Sequence, residues 1–408
     1  MGSERLEKVL AGQLAELSES GRAKGRESVV AGVVPAAGDK GPRLLLEGEG
    51  ERPFLRMNAN GYLGLARHPS VMAAEEAAVQ AYGAGPGAVR FISGTWQPHV
   101  ALEARLAAFH GREAAMIFSS AYATILGVLV PLISAETLVV SDALNHNCII
   151  NAIRLARPKD RKVYAHLAID EIDGLLAEGA GRCRRAIVVT DGIFSMRGDH
   201  APLDEIAAVV ARHDSAYPEG VLLLVDDSHG VGAFGASGRG TEEHCGGPPV
   251  DILVATLGKA FGVNGGYVTA SRTVTDYLRE TSPCYIYSNP ITPGEAAAAV
   301  AAVDIVDSAE GRALLDHLRA MTARFEQGLL DQGLETIPGE HPVVPLMVRD
   351  TARTSALVDH LRSSGILATG LNYPVVPKGD EEIRFQVSAE HTPADIDEAL
   401  AAIAAFEG

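Results

Sequence analysis

Positive charge is scarce in this chain. Its 408 residues carry 35 Lys and Arg against 52 Asp and Glu, a formal net charge of −17. Gripping a nucleic-acid backbone needs a net basic face, so this balance argues against nucleic acid as a partner. It leaves room for small anions, which a few arginines and helix N-termini bind locally. Cysteine is sparse too: Cys148, Cys183, Cys245 and Cys284 lie far apart with no CxxC pair. That spacing suits a reducing cytoplasm better than a disulfide framework or a zinc site. No apolar run reaches the length of a membrane span, and MGSERLEKVLAGQLAEL lacks the pattern of a signal peptide. Myristoylation calls for Ser or Thr where Leu6 stands. Aromatic residues make up only 5%, yet 47% of the chain is hydrophobic. This is a globular composition, long enough for two or three domains around a large core.

What is present follows a clear order. Residues 1–30 read as an amphipathic helix, and 31–56 as a turn-rich segment with one short strand at RLLLEG. Beyond the glycine-rich GAGPGAVRFISGT, strand-like apolar runs alternate with helical stretches. The strands are AAMIFSS, TLVVSD, KVYAHL, RAIVVTDGIF, VLLLVDDSH, DILVATL and GGYVTAS. Their continuous apolar character predicts an α/β fold, a mostly parallel seven-stranded sheet covered on both faces. From about residue 296 the pattern becomes a smaller α+β C-terminal domain. The expected organisation is an N-terminal helix and arm over 1–60, a large domain over 61–295 and a small domain over 296–408.

In an open parallel sheet, ligands bind at the carboxyl ends of the strands. Those ends deliver Ser120 in FSSAYA, Asn145 and His146 in SDALNHN, and Asp191 and Ser195 in TDGIFSM. They also deliver Asp226, Asp227 and His229 in VDDSHGVG, then Thr256 and Lys259 in TLGKAFG. The stretch GVGAFG, residues 230–235, matches a dinucleotide fingerprint. Its context is wrong, because acidic residues precede the glycines and no helix plainly opens after them. Asp226, Asp227 and His229, or His244 and Cys245, lack the ligand spacing of a known metal motif, so no metal is expected.

Lys259 needs a separate account. It follows a buried strand directly, among glycines and apolar residues, where an ammonium is costly. A neutral amine there is a nucleophile and a base. Pyridoxal phosphate requires such a lysine, an acid beside its pyridine nitrogen and a phosphate cradle at a helix N-terminus. Lys259, Asp226 and the Ser120–Ala121–Tyr122 turn fill these roles, with Thr256 adding a hydroxyl and His146 a flat ring to stack.

The chain resembles the α-oxoamine synthases of the fold-type I pyridoxal phosphate enzymes, most closely the glycine C-acetyltransferase branch. The resemblance runs from about residue 5 to 407. It rests on NGYLGLARHP, GTWQPHVALE, SDALNHN, TDGIFSM, VDDSHGVG, TLGKAFG, YSNPITP, YPVVPKG and IRFQVSAEHT. It implies Lys259 as the Schiff-base lysine, Asp226 at the pyridine nitrogen, and His146 stacked on the ring. His229 and Ser195 would lie near the phenolic oxygen, and Ser120, Ala121, Tyr122 and Thr256 at the phosphate. Ser288 and Asn289 would reach the phosphate of a neighbouring subunit, which implies an obligate homodimer. Asn60 and Arg384 match the residues that hold the substrate carboxylate.

The implied reaction is a Claisen-type condensation of an amino acid, glycine first, with an acyl thioester such as acetyl-CoA. A β-hydroxy amino acid aldolase or transaldolase is the rival within the same chemistry. Four departures from the family pattern stand out: Gly61, Trp96, Arg197 and the continuation KAFGVNGG. Several fall where the acyl donor should approach, and Arg197 offers a cation to an anionic acyl chain or a pantetheine phosphate.

Overall fold

The computed structural model describes residues 2–20, 22–23, 27–247, 249–373 and 375–407. Helix α1 (Gly2–Glu19) stops well short of residue 30. The β-branched pattern after it forms β1 (Val30–Val34), which pairs antiparallel with β2 (Arg43–Leu46). A further short strand, β3 (Pro53–Arg56), pairs with β2. The sequence reading found only β2 in this region, because β1 and β3 are short and lie among turn residues. Helices α2 (Pro69–Tyr82) and α3 (Gln97–Phe109) lead into the central sheet.

That sheet alternates strand and helix: β4 (Ala114–Phe118), α4 (Ala121–Leu132), β5 (Thr137–Asp142), α5 (Asn147–Ala156), β6 (Asp160–Tyr164), α6 (Ile169–Gly179), β7 (Arg185–Asp191), α7 (Leu203–His213), β8 (Val221–Asp226), α8 (Thr241–Cys245), β9 (Ile252–Thr256) and β10 (Gly266–Ala270). Its order is β4-β10-β9-β8-β7-β5-β6, with β10 alone running against the others. All seven expected strands are present. The period of two divides their side chains between two cores. Leu138, Val140, Val188, Val225 and Ala255 face one core, while Val139, Ile187, Leu224 and Val254 face the other. Edge strand β6 carries Asp160, Arg161 and Lys162, charges that discourage further strand pairing. Among the described residues, no helix is long and apolar enough to cross a membrane.

Helices α9 (Arg272–Thr281) and α10 (Pro283–Ile286) precede α11 (Pro293–Val306), which packs mainly on α2 and α3. Its start is fixed by a capping box between Thr292 and Glu295 with Pro293 at the first position. After α12 (Ala309–Asp331) come β11 (Val343–Met347), α13 (Thr351–Ser363), β12 (Ile366–Leu367), β13 (Thr369–Leu371), β14 (Glu382–Gln386) and α14 (Pro393–Ala404). Strand β14 is the centre of a three-stranded sheet, β11-β14-β13. Strand β12 pairs instead with β3, tying the N-terminal segment to the C-terminal one.

Candidate active site

The carboxyl ends of β5, β7, β8 and β9 meet the start of α4 around a cavity of about 200 Å³. Ala121, Tyr122, His146, Ser195, Asp226, His229, Thr256 and Lys259 line it, eight of the residues predicted from sequence. Cys148, Asp191, Ile193 and Ser228 complete the wall.

One side is a cradle. Ser120 caps α4, its hydroxyl accepting from the Ala123 N–H at 3.1 Å. Ala121 and Tyr122, whose N–H groups precede the first bonds of the helix, line the cavity, as an anion site requires. Gly266 of β10 backs against this turn: a Cβ there would lie 2.3 Å from the Ala121 nitrogen, so only glycine fits. Thr256 is fixed at the rim, accepting from the Gly258 N–H at 3.0 Å and donating to the Gly265 carbonyl at 3.1 Å.

The opposite wall is acidic. Asn145 ties β5 to β7, donating to the Val189 carbonyl and accepting from the Asp191 N–H, each at 2.8 Å. Asp191 in turn accepts from the His146 N–H at 3.0 Å. The Ser228 N–H donates to Asp226 at 3.1 Å. Its neighbour Asp227 points the other way and accepts from both the hydroxyl and the N–H of Thr241 at 2.7 Å. The glycine run 230–235 is therefore a turn packed about Asp227, not a dinucleotide loop.

Burial lowers the Lys259 pKa to about 8, although Asp226 and Asp191 pull it upward. A substantial fraction of the amine is thus neutral near physiological pH. Burial holds the Asp191 carboxyl well above its usual range, with Asp226 adding to the effect and Lys259 opposing it. Desolvation by the cavity wall also lowers the His146 pKa, and the Lys259 charge adds to this against Asp226. The His146 ring is exposed toward the cavity. Its Nδ1 accepts from the Cys148 N–H at 3.3 Å, so the neutral ring carries its proton on Nε2.

Strand β14 closes the cavity from the C-terminal side. Its period of two sends Ile383 and Phe385 into the core and Glu382, Arg384 and Gln386 to the opposite face. Arg384 donates to the Ser195 carbonyl at 3.0 Å. With its amide oxygen turned toward Arg384, Gln386 accepts from Nε and Nη2 at 2.8 and 2.7 Å. The same end of that amide lies 3.1 Å from Asn60. Gln386 therefore joins the two predicted carboxylate ligands. Tyr62 adds a second link, its hydroxyl 2.7 Å from Nδ1 of His229. Buried His341 donates from Nε2 to the His229 carbonyl at 2.9 Å. Sequence reasoning missed Gln386, Tyr62 and His341. Only Gln386 carried a usable signal, two residues along the strand from Arg384.

Ser288 and Asn289 lie outside this cavity, beyond α10, and Asn289 is exposed. Trp96 donates to the Pro86 carbonyl at 3.1 Å and packs near Tyr82, away from both cavities at the site. It stands at the entry to α3. Arg197 does face a neighbouring space. A second cavity of about 300 Å³ shares His146 and Ser195 with the first and is walled by Leu144, Phe194, Met347, Val376, Arg197 and Glu382.

The residues suit pyridoxal phosphate. The cradle is a helix start kept open by Gly266, and the wall keeps Asp191 Oδ1 and Ser228 Oγ buried without a protein partner. Comparison with known proteins agrees. Residues 52–403 match the family Aminotransferase class I and II. An 8-amino-7-oxononanoate synthase of Geobacter sulfurreducens is 39% identical over 398 residues, covering 97% of each chain. Another from Geotalea daltonii is 40% identical over 368 residues, covering 90% of this chain and 91% of that one. Among solved structures, a Sphingomonas wittichii serine palmitoyltransferase superimposes with a TM-score of 0.85 at 27% identity, covering 98% and 96% of the two chains. A serine palmitoyltransferase from S. paucimobilis, solved with a PLP–myriocin adduct, gives 0.85 at 25% identity, covering 97% and 96%. The chain belongs to the class I and II aminotransferase family and, within it, to the pyridoxal phosphate-dependent α-oxoamine synthases of fold type I.

Proposed function

We propose that this enzyme condenses a small amino acid, glycine or alanine, with an acyl thioester longer than acetyl. The observation that carries this reading is Lys259, held at a pKa of about 8 near Asp226, Asp191 and Arg384, in a cavity that shares His146 and Ser195 with a second one. Acetyl-CoA draws no support from the relatives. Their product, an 8-amino-7-oxo acid, has its amine next to a methyl group and its ketone next to that. This is the pattern left when alanine loses its carboxylate and joins a longer acyl group.

When bound, pyridoxal phosphate supplies an aldehyde for the amino group and a ring that draws electrons from the α-carbon. Arg384, steadied by Gln386, holds the amino-acid carboxylate in a two-pronged contact, with Asn60 beside it. Lys259 takes the α-proton as general base. Asp226 keeps a proton on the pyridine nitrogen. His146 is the ring that stacks on the cofactor, and its Nε2–H donates to the oxygen that gains charge on the thioester carbonyl. Ser120, Ala121, Tyr122 and Thr256 receive the phosphate, while His229 and Ser195 face the phenolic oxygen.

The same reading divides the chain into an arm over 1–60, a cofactor-binding domain over 61–295 and a small domain over 296–408. It also makes the enzyme a homodimer. Leu6, Leu10, Leu14, Val30 and Val34 are exposed along α1 and β1, an apolar face that a second copy would cover. Ser288 and Asn289 would then reach the partner's phosphate.

The test is to incubate the yellow protein with glycine, alanine, serine or threonine and acyl-CoA of two, eight or ten carbons, following free thiol. Thiol release that depends on one small amino acid and on the longer chains is expected. Aldehyde release from β-hydroxy amino acids without any thiol release would replace condensation by aldol chemistry.

A further inference from the structure

The second cavity holds a group that the condensation does not use. Glu382 is 2% exposed, and its Oε1 has no hydrogen-bond partner although it sits in the cavity wall. A carboxyl on the central strand of a sheet, left without a partner, is expensive unless a ligand satisfies it. Burial pushes its pKa up to about 8 against the pull of Arg384 and Arg197, so at neutral pH it is mostly an O–H donor.

Arg197, the one Lys or Arg among the described residues of the wall, is already matched. Arg197 donates to Asp199 at 2.8 Å, and Asp199 also faces His166, whose other nitrogen lies 3.1 Å from Asp142. Asp380, also in the wall, pairs with Arg349 at 3.1 Å. Arg384 is directed at the amino-acid carboxylate. Among its described residues the wall therefore offers an acyl chain apolar surface and, in Glu382, a buried neutral donor without a partner, with no unpaired arginine for a terminal carboxylate. Glu382 is two residues from Arg384 on the same strand face, about 7 Å away. An acyl chain joined to an amino acid held at Arg384 passes Glu382 within its first few carbons.

We propose that the second cavity is the acyl site and that Glu382 selects thioesters bearing a neutral oxygen, a hydroxyl or ketone, on the third or fourth carbon. This rests on the condensation reading above and narrows its acyl donor. It departs from the expectation that Arg197 pairs with an anionic chain.

Three donors of equal length separate the possibilities: octanoyl-CoA, 3-hydroxyoctanoyl-CoA and octanedioyl-CoA. With the holoenzyme and a saturating amino acid, kcat/KM for 3-hydroxyoctanoyl-CoA should exceed the other two at least tenfold. Glu382→Leu should erase that advantage, bringing kcat/KM for 3-hydroxyoctanoyl-CoA down to that for octanoyl-CoA. Glu382→Gln, which keeps a donor, should retain it. A preference for octanedioyl-CoA, an unchanged ranking in Glu382→Leu, or an equal loss with all three donors would overturn the assignment. Thiol silence with all three donors, while the amino acid still shifts the cofactor spectrum, would instead remove the condensation reading on which it rests.

Discussion

The two cavities share His146 and Ser195 but are built on different logic. The first lies where four parallel strands end, and its charges answer one another: Asp226 and Asp191 face Lys259, and helix α4 presents its amides. The second is assembled from loops 143–146, 194–197 and 375–377 with the face of β14, and Oε1 of its buried acid has no hydrogen-bond partner among the described residues. A site complementary to a bound cofactor can balance its charges with permanent neighbours. A site that admits a variable substrate keeps an open hydrogen-bonding position until that substrate arrives. Chemistry common to a family is built into the first, and selectivity into the second.

Substitutions can break this contrast at either cavity. Lys259→Ala removes both the cofactor anchor and the base. It should cost roughly ten-thousand-fold in turnover and abolish the visible absorbance of the holoenzyme. Asp227→Ala leaves the Thr241 hydroxyl and N–H unpaired beneath the cofactor wall. A loss of about 3 kcal/mol in denaturant unfolding is expected, whereas Asp227→Asn should lose less. Arg384→Lys keeps the charge but not the fork, and should raise the amino-acid KM roughly tenfold to a hundredfold with little change in the acyl-donor KM.

How much of this was legible beforehand follows the same division. Continuous apolar runs flanked by polar residues marked all seven central strands, because strands buried on both faces cannot hide. Lys259 was conspicuous as a lone cation after such a run. Glu382 was not: in DEEIRF it looks like one of several solvated charges, and only the structure shows that Glu381 beside it accepts from Thr351 and the Gly379 N–H while Glu382 Oε1 has no partner. Tyr62 matters through what it holds, which a sequence does not display. Strands β1, β3, β12 and β13 are two to five residues long, too short to show a period, and β12 takes its form from pairing with β3, distant in sequence.

The smallest effect concerns His166, which shares Asp199 with Arg197 behind the wall of the second cavity. Burial lowers the His166 pKa, but its bonds to Asp142 and Asp199 outweigh this and raise it from 6.5 to about 9. A raised pKa means the charged form stabilises the fold. That contribution is complete below pH 6.5 and disappears as pH rises through 9. Thermal unfolding of the wild type should therefore weaken between pH 6 and 9.5 by about 2 kcal/mol, and His166→Gln should flatten the dependence.

The central claim is that the cofactor is carried by Lys259 at the end of β9. Borohydride reduction of the yellow holoenzyme, followed by proteolysis and mass spectrometry, tests it most directly. The account predicts the reduced pyridoxyl mass on the peptide containing Lys259 and on no other. A pyridoxyl group on a different lysine, or a cofactor that leaves unreduced, would contradict it.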